Sequence, residues 1–220
     1  DRLTIAILGG AGKEGGGLAM RWANAGHRII IGSRDAGRAA EAAGEINTAL
    51  GRDAAQGMDN LAAAKAAELV VLAVPYSAQL ATLEAVRAHL TGKILIDVTV
   101  PLVPPKVSQV QLPEGGSAVK LAQALLGEDV RVVSAFQNIS AVHLKELDHV
   151  IESDVLVCSD DSAAADLVVD LAREIGLGAF NAGALANSAA AEAVTSILIA
   201  INRRYKVSDS GIRITGVPAA

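Results

Sequence analysis

The sequence predicts an α/β protein with a doubly wound, mainly parallel sheet and a small helical extension at its C-terminal end. Short apolar runs alternate with longer helical patterns through most of the 220 residues. These runs are apolar on both faces, as in strands that helices cover on both sides. The first run also enters a glycine-rich loop that opens directly into a helix. We expect residues 1–220 to form a single domain, with 184–220 as the helical extension and closing segment.

The first predicted strand, Leu3–Leu8, leads into a loop with the pattern G-x-G-x-x-G, from Gly10 to Gly15. In a dinucleotide site the first glycine makes a tight turn, and the second lets the backbone approach a pyrophosphate. The third lets the helix pack closely on the strand, and the N-terminus of that helix offers free N–H groups to the phosphates. The pattern alone is weak, but the strand before it and the helix after it favour dinucleotide binding over an ordinary glycine-rich turn.

The second predicted strand, 28–32, is followed by Ser33 and Arg34, with Arg38 four residues further on. Sites for NAD place an acidic residue here to bind the ribose hydroxyls. A hydroxyl and two guanidinium groups would instead bind a 2′-phosphate, so the sequence favours NADP. The spacing of the arginines predicts that they share one helix face, and Asp35 is interpreted as the N-cap of a helix over 36–50. The alternative is that both arginines are solvated surface residues.

The later elements follow the same alternation until a proline-rich break. Strands are predicted at 68–75, 93–100, 130–136 and 155–158, and helices at 79–90, 116–126, 161–175 and 184–205. The run Pro101–Pro105 cannot lie inside a sheet, because its three prolines remove three donors from the ladder. We therefore expect 101–115 to be a functional loop.

Composition excludes several classes of function. A net charge of −5 argues against a nucleic-acid partner, which needs a basic face. A single cysteine, Cys158, cannot form an internal disulfide, so we expect a cytoplasmic protein with an inert buried thiol. The longest apolar segment, Ala189–Ile201, is too short to span a bilayer, which argues against a membrane partner. The sequence contains no G-x-S-x-G or H-E-x-x-H pattern and no cysteine pair, so we predict neither a catalytic nucleophile nor a metal site.

Together these motifs resemble one family, the NADP-dependent oxidoreductases of the deazaflavin coenzyme F420. The resemblance begins with Leu8-Gly9-Gly10-Ala11-Gly12, Gly32-Ser33-Arg34 and Val74-Pro75. It continues in the family's order with Pro101-Leu102-Val103-Pro104, Ser134-Ala135-Phe136-Gln137-Asn138, Val157-Cys158-Ser159-Asp160-Asp161, Ala182-Gly183, Asn187-Ser188 and Gly211-Ile212-Arg213-Ile214. It covers essentially the whole chain. It implies a Rossmann-type fold, a homodimer, and a cleft in which NADP and the deazaflavin lie side by side.

The resemblance also implies binding residues. Beside Gly10, the residues Ala11, Gly12, Lys13 and Glu14 would meet the pyrophosphate, whereas Ser33, Arg34 and Arg38 would bind the 2′-phosphate. Val74, Pro75 and Ala78 would line the nicotinamide side. Pro101, Val103 and Pro104, with Asn138, Ile139 and Ala141, would wall the cleft for the deazaflavin, and Ser210 would close over the nucleotide. A carboxylate at Glu14 is compatible with a pyrophosphate only if it points to solvent.

Direct hydride transfer between two bound rings depends on geometry more than on acid–base groups, since the reacting carbons must lie about 3–3.5 Å apart with water excluded. We therefore predict no catalytic side chain. His143, just after the predicted ring-binding loop, is the one histidine of four that invites a functional test. Two alternatives remain open: an NADPH reductase on the same fold with an imine, flavin or ferric acceptor, and a non-catalytic NADP-sensing module.

Overall fold

The sheet has eight strands within the described part of the chain, residues 2–218 of the computed structural model. They are β1 (Thr4–Leu8), β2 (Arg28–Ser33), β3 (Ala55–Asp59), β4 (Leu69–Leu72), β5 (Ile94–Asp97), β6 (Arg131–Ser134), β7 (Asp154–Ser159) and β8 (Gly178–Asn181). Their order is β3-β2-β1-β4-β5-β6-β7-β8. Every neighbouring pair is parallel except β6 and β7. The predicted doubly wound, mainly parallel sheet is confirmed.

Helices cover both faces of this sheet. They are α1 (Lys13–Ala25), α2 (Ala36–Leu50), α3 (Asn60–Ala66), α4 (Gln79–Val86), α5 (Ala118–Leu126), α6 (Ser162–Glu174) and α7 (Ser188–Tyr205). The larger core lies between one face and α1, α2 and α6. The smaller core lies between the other face and α3, α4 and α5. Strands buried on both faces explain the continuous apolar runs of the sequence.

The sequence analysis missed β3, α3 and β8. Both strands are sheet edges, and neither has an apolar run, because an edge strand need not be buried on both sides. In β3 a glycine is required for packing: a Cβ on Gly57 would overlap the backbone of Ala39 and Ala40 in α2. The structure also explains why β7 runs antiparallel to β6. The connection from β6 contains no helix over 135–153, and a parallel return would need a helical crossover.

Of the predicted C-terminal extension, 184–220, the structure describes residues 184–218; residues 219 and 220 lie outside the described part of the chain, as does residue 1. Helix α7 packs against α5 and β7. The helical stretch Leu185–Tyr205 is longer than the apolar segment read from the sequence and is long and apolar enough to cross a membrane. It carries the buried polar residues Glu192 and Ser196 on its packed side, so it is a packing helix of this fold.

Candidate functional site

The carboxyl ends of β1, β2, β4, β5 and β6 meet at one edge of the sheet, where ligands of doubly wound folds bind. Nearly all residues predicted to bind ligands lie at this edge. Gly10–Glu14 follow β1, Ser33 ends β2 with Arg34 and Arg38 beyond it, Val74–Ala78 follow β4, Pro101–Pro104 follow β5, and Asn138–Ala141 follow β6. The remaining one, Ser210, comes from the segment after α7.

The glycine loop has the close packing that its pattern predicts for the third glycine, and the first glycine is closely packed as well. A Cβ on Gly10 would lie 2.8 Å from the Ile7 carbonyl oxygen, and one on Gly15 would lie 2.8 Å from the Gly9 carbonyl oxygen. Gly12 is exposed, and its added Cβ would find only the Gly9 oxygen, at 3.3 Å. The sequence analysis missed Gly9, whose φ of +80° favours glycine. The first and third glycines are therefore packing positions, and the second presents open backbone.

The N-terminus of α1 is available to an anion. Gly12 is the N-cap and supplies no side-chain hydrogen bond, so the N–H groups of the first turn lack a capping partner. Glu14, in this turn, is half-buried, so the condition that its carboxylate point to solvent is not met. Burial raises the pKa of its carboxyl to about 8. At neutral pH the group is therefore largely uncharged and does not repel an anion.

The predicted capping of α2 is confirmed, whereas the helix-face argument for the arginines is wrong. Asp35 Oδ1 accepts hydrogen bonds from the backbone N–H groups of Gly37 (2.8 Å) and Arg38 (3.2 Å). Because α2 begins at Ala36, Arg34 lies before the helix and cannot share a helix face with Arg38. Both guanidinium groups are exposed. Arg38 lines a cavity of about 190 Å³ together with Gly10 and Ala11.

The segments after β4 and β5, which are predicted to line the two rings, differ in the solvent exposure of their side chains. Val103 and Pro104 are exposed, whereas Pro101 is buried. Val74 and Ala78 are half-buried beside the exposed Pro75. These segments can offer apolar surface to a flat ligand without moving the sheet.

The residues predicted for the opposite wall, Asn138, Ile139 and Ala141, are buried or half-buried. Asn138 is buried, and its Nδ2 donates to the Asp154 carbonyl oxygen at 2.8 Å. Ile139 is only 6% exposed and belongs to the larger core. Ala141 is half-buried. Asn138 and Ile139 therefore hold this loop in place from beneath, and Ala141 has the most accessible side chain of the three.

Ser210 is held against α7. Its backbone N–H donates to Asn202 Oδ1 at 3.1 Å, and its hydroxyl donates to the Leu198 carbonyl oxygen at 3.2 Å. It borders a cavity of about 480 Å³ that also touches Ser140, beside the predicted ring-binding loop. The C-terminal segment thus reaches the loop that follows β6.

A buried polar network beneath the cleft was missed by the sequence analysis. Asp97, at the end of β5, is fully buried, and its Oδ2 accepts from Gln79 Nε2 at 2.7 Å. Its Oδ1 accepts from the Thr99 N–H at 2.9 Å, and its backbone carbonyl accepts from Gln137 Nε2 at 2.8 Å. Burial raises the pKa of Asp97, although these hydrogen bonds to Thr99 and Gln79 oppose the shift. The network connects the loops after β5 and β6.

Glu192 extends this polar layer into α7. It is 1% exposed and accepts backbone N–H groups of Ala118 at 2.6 Å and Val119 at 3.3 Å. Burial raises the pKa of its carboxyl to about 7, against the effect of these hydrogen bonds and with a smaller contribution from the charge of Asp97. The signal in the sequence was a lone carboxylate inside an apolar run, which occurs at both Asp97 and Glu192.

The predicted inert thiol is consistent with the structure. Cys158 is buried, and burial, with the nearby charge of Glu192, raises the pKa of its thiol to about 11. A thiol that stays protonated at neutral pH is a poor nucleophile.

Comparisons with known proteins agree across sequence and structure. The family model "NADP oxidoreductase coenzyme F420-dependent" matches residues 4–101. The chain is 41% identical to the F420-dependent NADP reductase of Methanothermobacter thermautotrophicus, over 98% of this chain and 96% of that protein. It is also 41% identical to the enzyme of the same name from Methanothermobacter marburgensis, over 98% and 100%. A crystal structure of a hypothetical protein from Sinorhizobium meliloti shares the fold, with a TM-score of 0.69, 22% identity, and coverage of 86% of this chain and 88% of that one.

Proposed function

The chain belongs to the family of F420-dependent NADP reductases, and from this premise we propose that it transfers a hydride directly between NADP(H) and the deazaflavin coenzyme F420. The observation that carries the proposal is the 41% identity to such reductases along 98% of this chain and nearly all of theirs. The match therefore includes the glycine loop, the proline run and the C-terminal segment together.

The residues after β1 and β2 fit the phosphates of NADP. The exposed backbone at Gly12 and the uncapped first turn of α1 are suited to the pyrophosphate, as is a Glu14 carboxyl that burial keeps largely neutral. Ser33, Arg34 and Arg38 supply a hydroxyl and two exposed guanidinium groups for the 2′-phosphate. The segments from Gly10 through Lys13 and from Ser33 through Arg38 thus bind the nucleotide at one end of the cleft.

The residues after β4, β5 and β6 hold the two rings. Val74, Pro75 and Ala78 line the nicotinamide side. The exposed Val103 and Pro104 form an apolar wall for the deazaflavin, with the buried Pro101 at the start of the same segment. Ala141, with the buried Asn138 and Ile139, forms the opposite wall in this proposal, and Ser210 closes the nucleotide side. NADPH, when bound, supplies the hydride. The chain contributes orientation and exclusion of water, and no side chain has to move a proton in the hydride step.

We propose further that the protein is a cytoplasmic homodimer whose single domain spans residues 1–220. The solvent side of α7 supports the dimer, because Ile197 is 50% exposed and Tyr205 is 72% exposed on a helix whose other side is packed. Exposed apolar residues on one helix are typical of subunit contacts. Light scattering on the purified protein tests this, and a monomer at micromolar concentration would contradict it.

The experiment that tests the function mixes purified protein, NADPH and the oxidised deazaflavin, and follows the loss of the deazaflavin's visible absorbance. We expect turnover with NADPH and much slower turnover with NADH. Parallel assays with an imine, a flavin and a ferric chelate test the other acceptors. Turnover with one of these, but not with the deazaflavin, would contradict the proposal. Turnover with any acceptor eliminates a purely sensing role.

A further inference from the structure

One nitrogen of Arg21 donates hydrogen bonds to three backbone carbonyl oxygens of the loop after Ile139. Arg21 is only 6% exposed. Its Nη2 donates to the carbonyl oxygens of Glu146 at 2.9 Å, His149 at 3.0 Å and His143 at 3.3 Å. The guanidinium therefore fixes the backbone of these three residues against α1.

The side chains of the same three residues converge. The candidate ligand atoms of His143, Glu146 and His149 all lie within 4.8 Å of one another. Glu146 Oε2 is 3.1 Å from His143 Nδ1 and 3.9 Å from His149 Nδ1. The spacing is His-x-x-Glu-x-x-His in a loop rather than a helix, so it differs from the helical H-E-x-x-H pattern of zinc enzymes.

His143 has the hydrogen-bonding arrangement of a metal ligand. Its Nε2 lies 3.4 Å from Asp209 Oδ2, on the C-terminal segment. Its Nδ1 is buried and has no hydrogen-bond partner, although it faces the Glu146 carboxylate. If Nε2–H is directed at Asp209, Nδ1 presents a lone pair to a carboxylate oxygen. Two acceptors face each other stably only when a proton or a cation lies between them. A ring N–H directed at a carboxylate is the usual second contact of a metal-bound histidine.

We propose that His143, Glu146 and His149 form a site for one divalent transition-metal ion of the zinc type, with Asp209 orienting His143. Two imidazole nitrogens and one carboxylate oxygen are ligands that Zn²⁺ and Co²⁺ accept, at about 2.0–2.2 Å for zinc. The two rings are stacked, with centroids 3.9 Å apart and 13° between their planes, so their lone pairs lie in two nearly parallel planes and do not meet at one ion. Binding therefore requires one ring to rotate, and His149, whose side chain is 37% exposed, has the space to do so.

The ion would join two segments that are distant in sequence. Asp209 precedes Ser210, and both border the same cavity as His143 and His149. A bound ion would therefore tie the C-terminal segment to the loop after β6 and stabilise the folded protein. It takes no part in hydride transfer, so the inference is independent of the proposed function.

Untagged protein, freed of metal by a chelator and dialysed, is titrated with ZnCl₂ in a calorimeter, and with CoCl₂ while the visible spectrum is recorded. We expect one ion per chain and a higher melting temperature with Zn²⁺. His149→Ala should weaken binding by more than about tenfold and abolish the rise in melting temperature. Asp209→Asn, an exposed position, should weaken it by about tenfold or more. The control His89→Ala lies outside the cluster and should bind zinc as the parent does.

Two outcomes would overturn the site. The first is the absence of saturable one-to-one binding at micromolar zinc, which would show that the contacts of His143 with Glu146 and Asp209 form without a metal ion. The second is undiminished binding in both His149→Ala and Asp209→Asn, which would place the ion elsewhere. Asp209→Asn keeps the test decisive even if removal of a histidine disturbs the loop, because it removes no packed side chain.

Discussion

The Oε1 atom of Glu192 accepts a hydrogen bond from the backbone N–H of Ala118 at 2.6 Å, so a buried carboxyl on α7 caps the first turn of α5. The same carboxyl also accepts from Val119. This contact joins the C-terminal extension to the helix layer formed by α3, α4 and α5. It also places a titratable group, with a pKa of about 7, in a buried position.

Stability should fall with rising pH because of Glu192. Its folded-state pKa of about 7 lies above its ordinary value of 4.5, so its contribution is fully present below about pH 4.5 and is lost as the pH rises through 7. Between pH 5 and pH 8 the parent protein should lose about 2 kcal/mol of unfolding free energy relative to Glu192→Gln. Urea denaturation at the two pH values measures this. The control is Glu84→Gln, a change at an exposed position. An equal change in unfolding free energy between pH 5 and pH 8 for the parent and Glu192→Gln would contradict the raised pKa of Glu192.

NADPH binding should weaken at alkaline pH because of Glu14. Above its pKa of about 8 the carboxyl ionises in the first turn of α1, where we place the pyrophosphate. One unit of like charge at close range costs about 1 kcal/mol or more, so affinity should fall by about fivefold to tenfold between pH 7 and pH 9.5. Fluorescence titrations should show this fall in the parent and not in Glu14→Gln. NADH has the same pyrophosphate, so its affinity for the parent protein should fall over the same pH range. Identical pH profiles for parent and variant would refute the placement.

Arg34→Ala should weaken NADPH and leave NADH nearly unchanged. Arg34 is exposed next to the N-cap of α2, where the 2′-phosphate is proposed to bind. Loss of one charged hydrogen bond costs about 1.5–3 kcal/mol. Dissociation constants for both nucleotides measure the selectivity, with Arg28→Ala, an exposed arginine at the start of β2, as the control. Equal weakening of NADPH and NADH would show that Arg34 does not contact the 2′-phosphate.

Gly12→Val should fold and fail to bind nucleotide. Gly12 has φ of −78°, which any residue adopts, and its added Cβ meets only one atom, at 3.3 Å. The valine side chain would therefore occupy the space proposed for the pyrophosphate. Gly15→Val is the contrasting variant, because its Cβ would lie 2.8 Å from the Gly9 oxygen, and we expect it to unfold more easily. Circular dichroism and NADPH titration separate the two effects. Normal NADPH affinity in folded Gly12→Val would contradict the proposed role of the loop.

His143→Ala should keep turnover within about tenfold of the parent, since hydride transfer between two held rings needs no titrating side chain. Ala141→Trp, at a half-buried position of the proposed cleft wall, should abolish deazaflavin reduction and spare NADPH binding. Ile139 does not suit such a test, because it is buried in the core. Steady-state kinetics with both substrates measures these effects. A collapse of turnover in His143→Ala with both ligands still bound would require a proton-transfer role.

The sequence by itself determined the elements whose signals are local. The strand β1, its glycine loop and α1 follow one another within about 25 residues, and the Asp35 cap lies within three residues of the N–H groups it binds. Apolar runs, turn glycines and caps depend on neighbouring residues, so they can be recognised without knowing the fold. The family resemblance supplied the second ring and the residues around it.

The tertiary structure decided what depends on residues far apart in the chain. The edge strands β3 and β8 are strands because a neighbour pairs with them, and their own sequences contain no buried run. Arg21 binds a loop more than 120 residues away, and Glu192 caps a helix that starts 74 residues earlier. Such contacts leave no periodic pattern in either segment. A buried charge or polar group must nevertheless find partners when the segments meet, and only the packed structure shows which partners it finds.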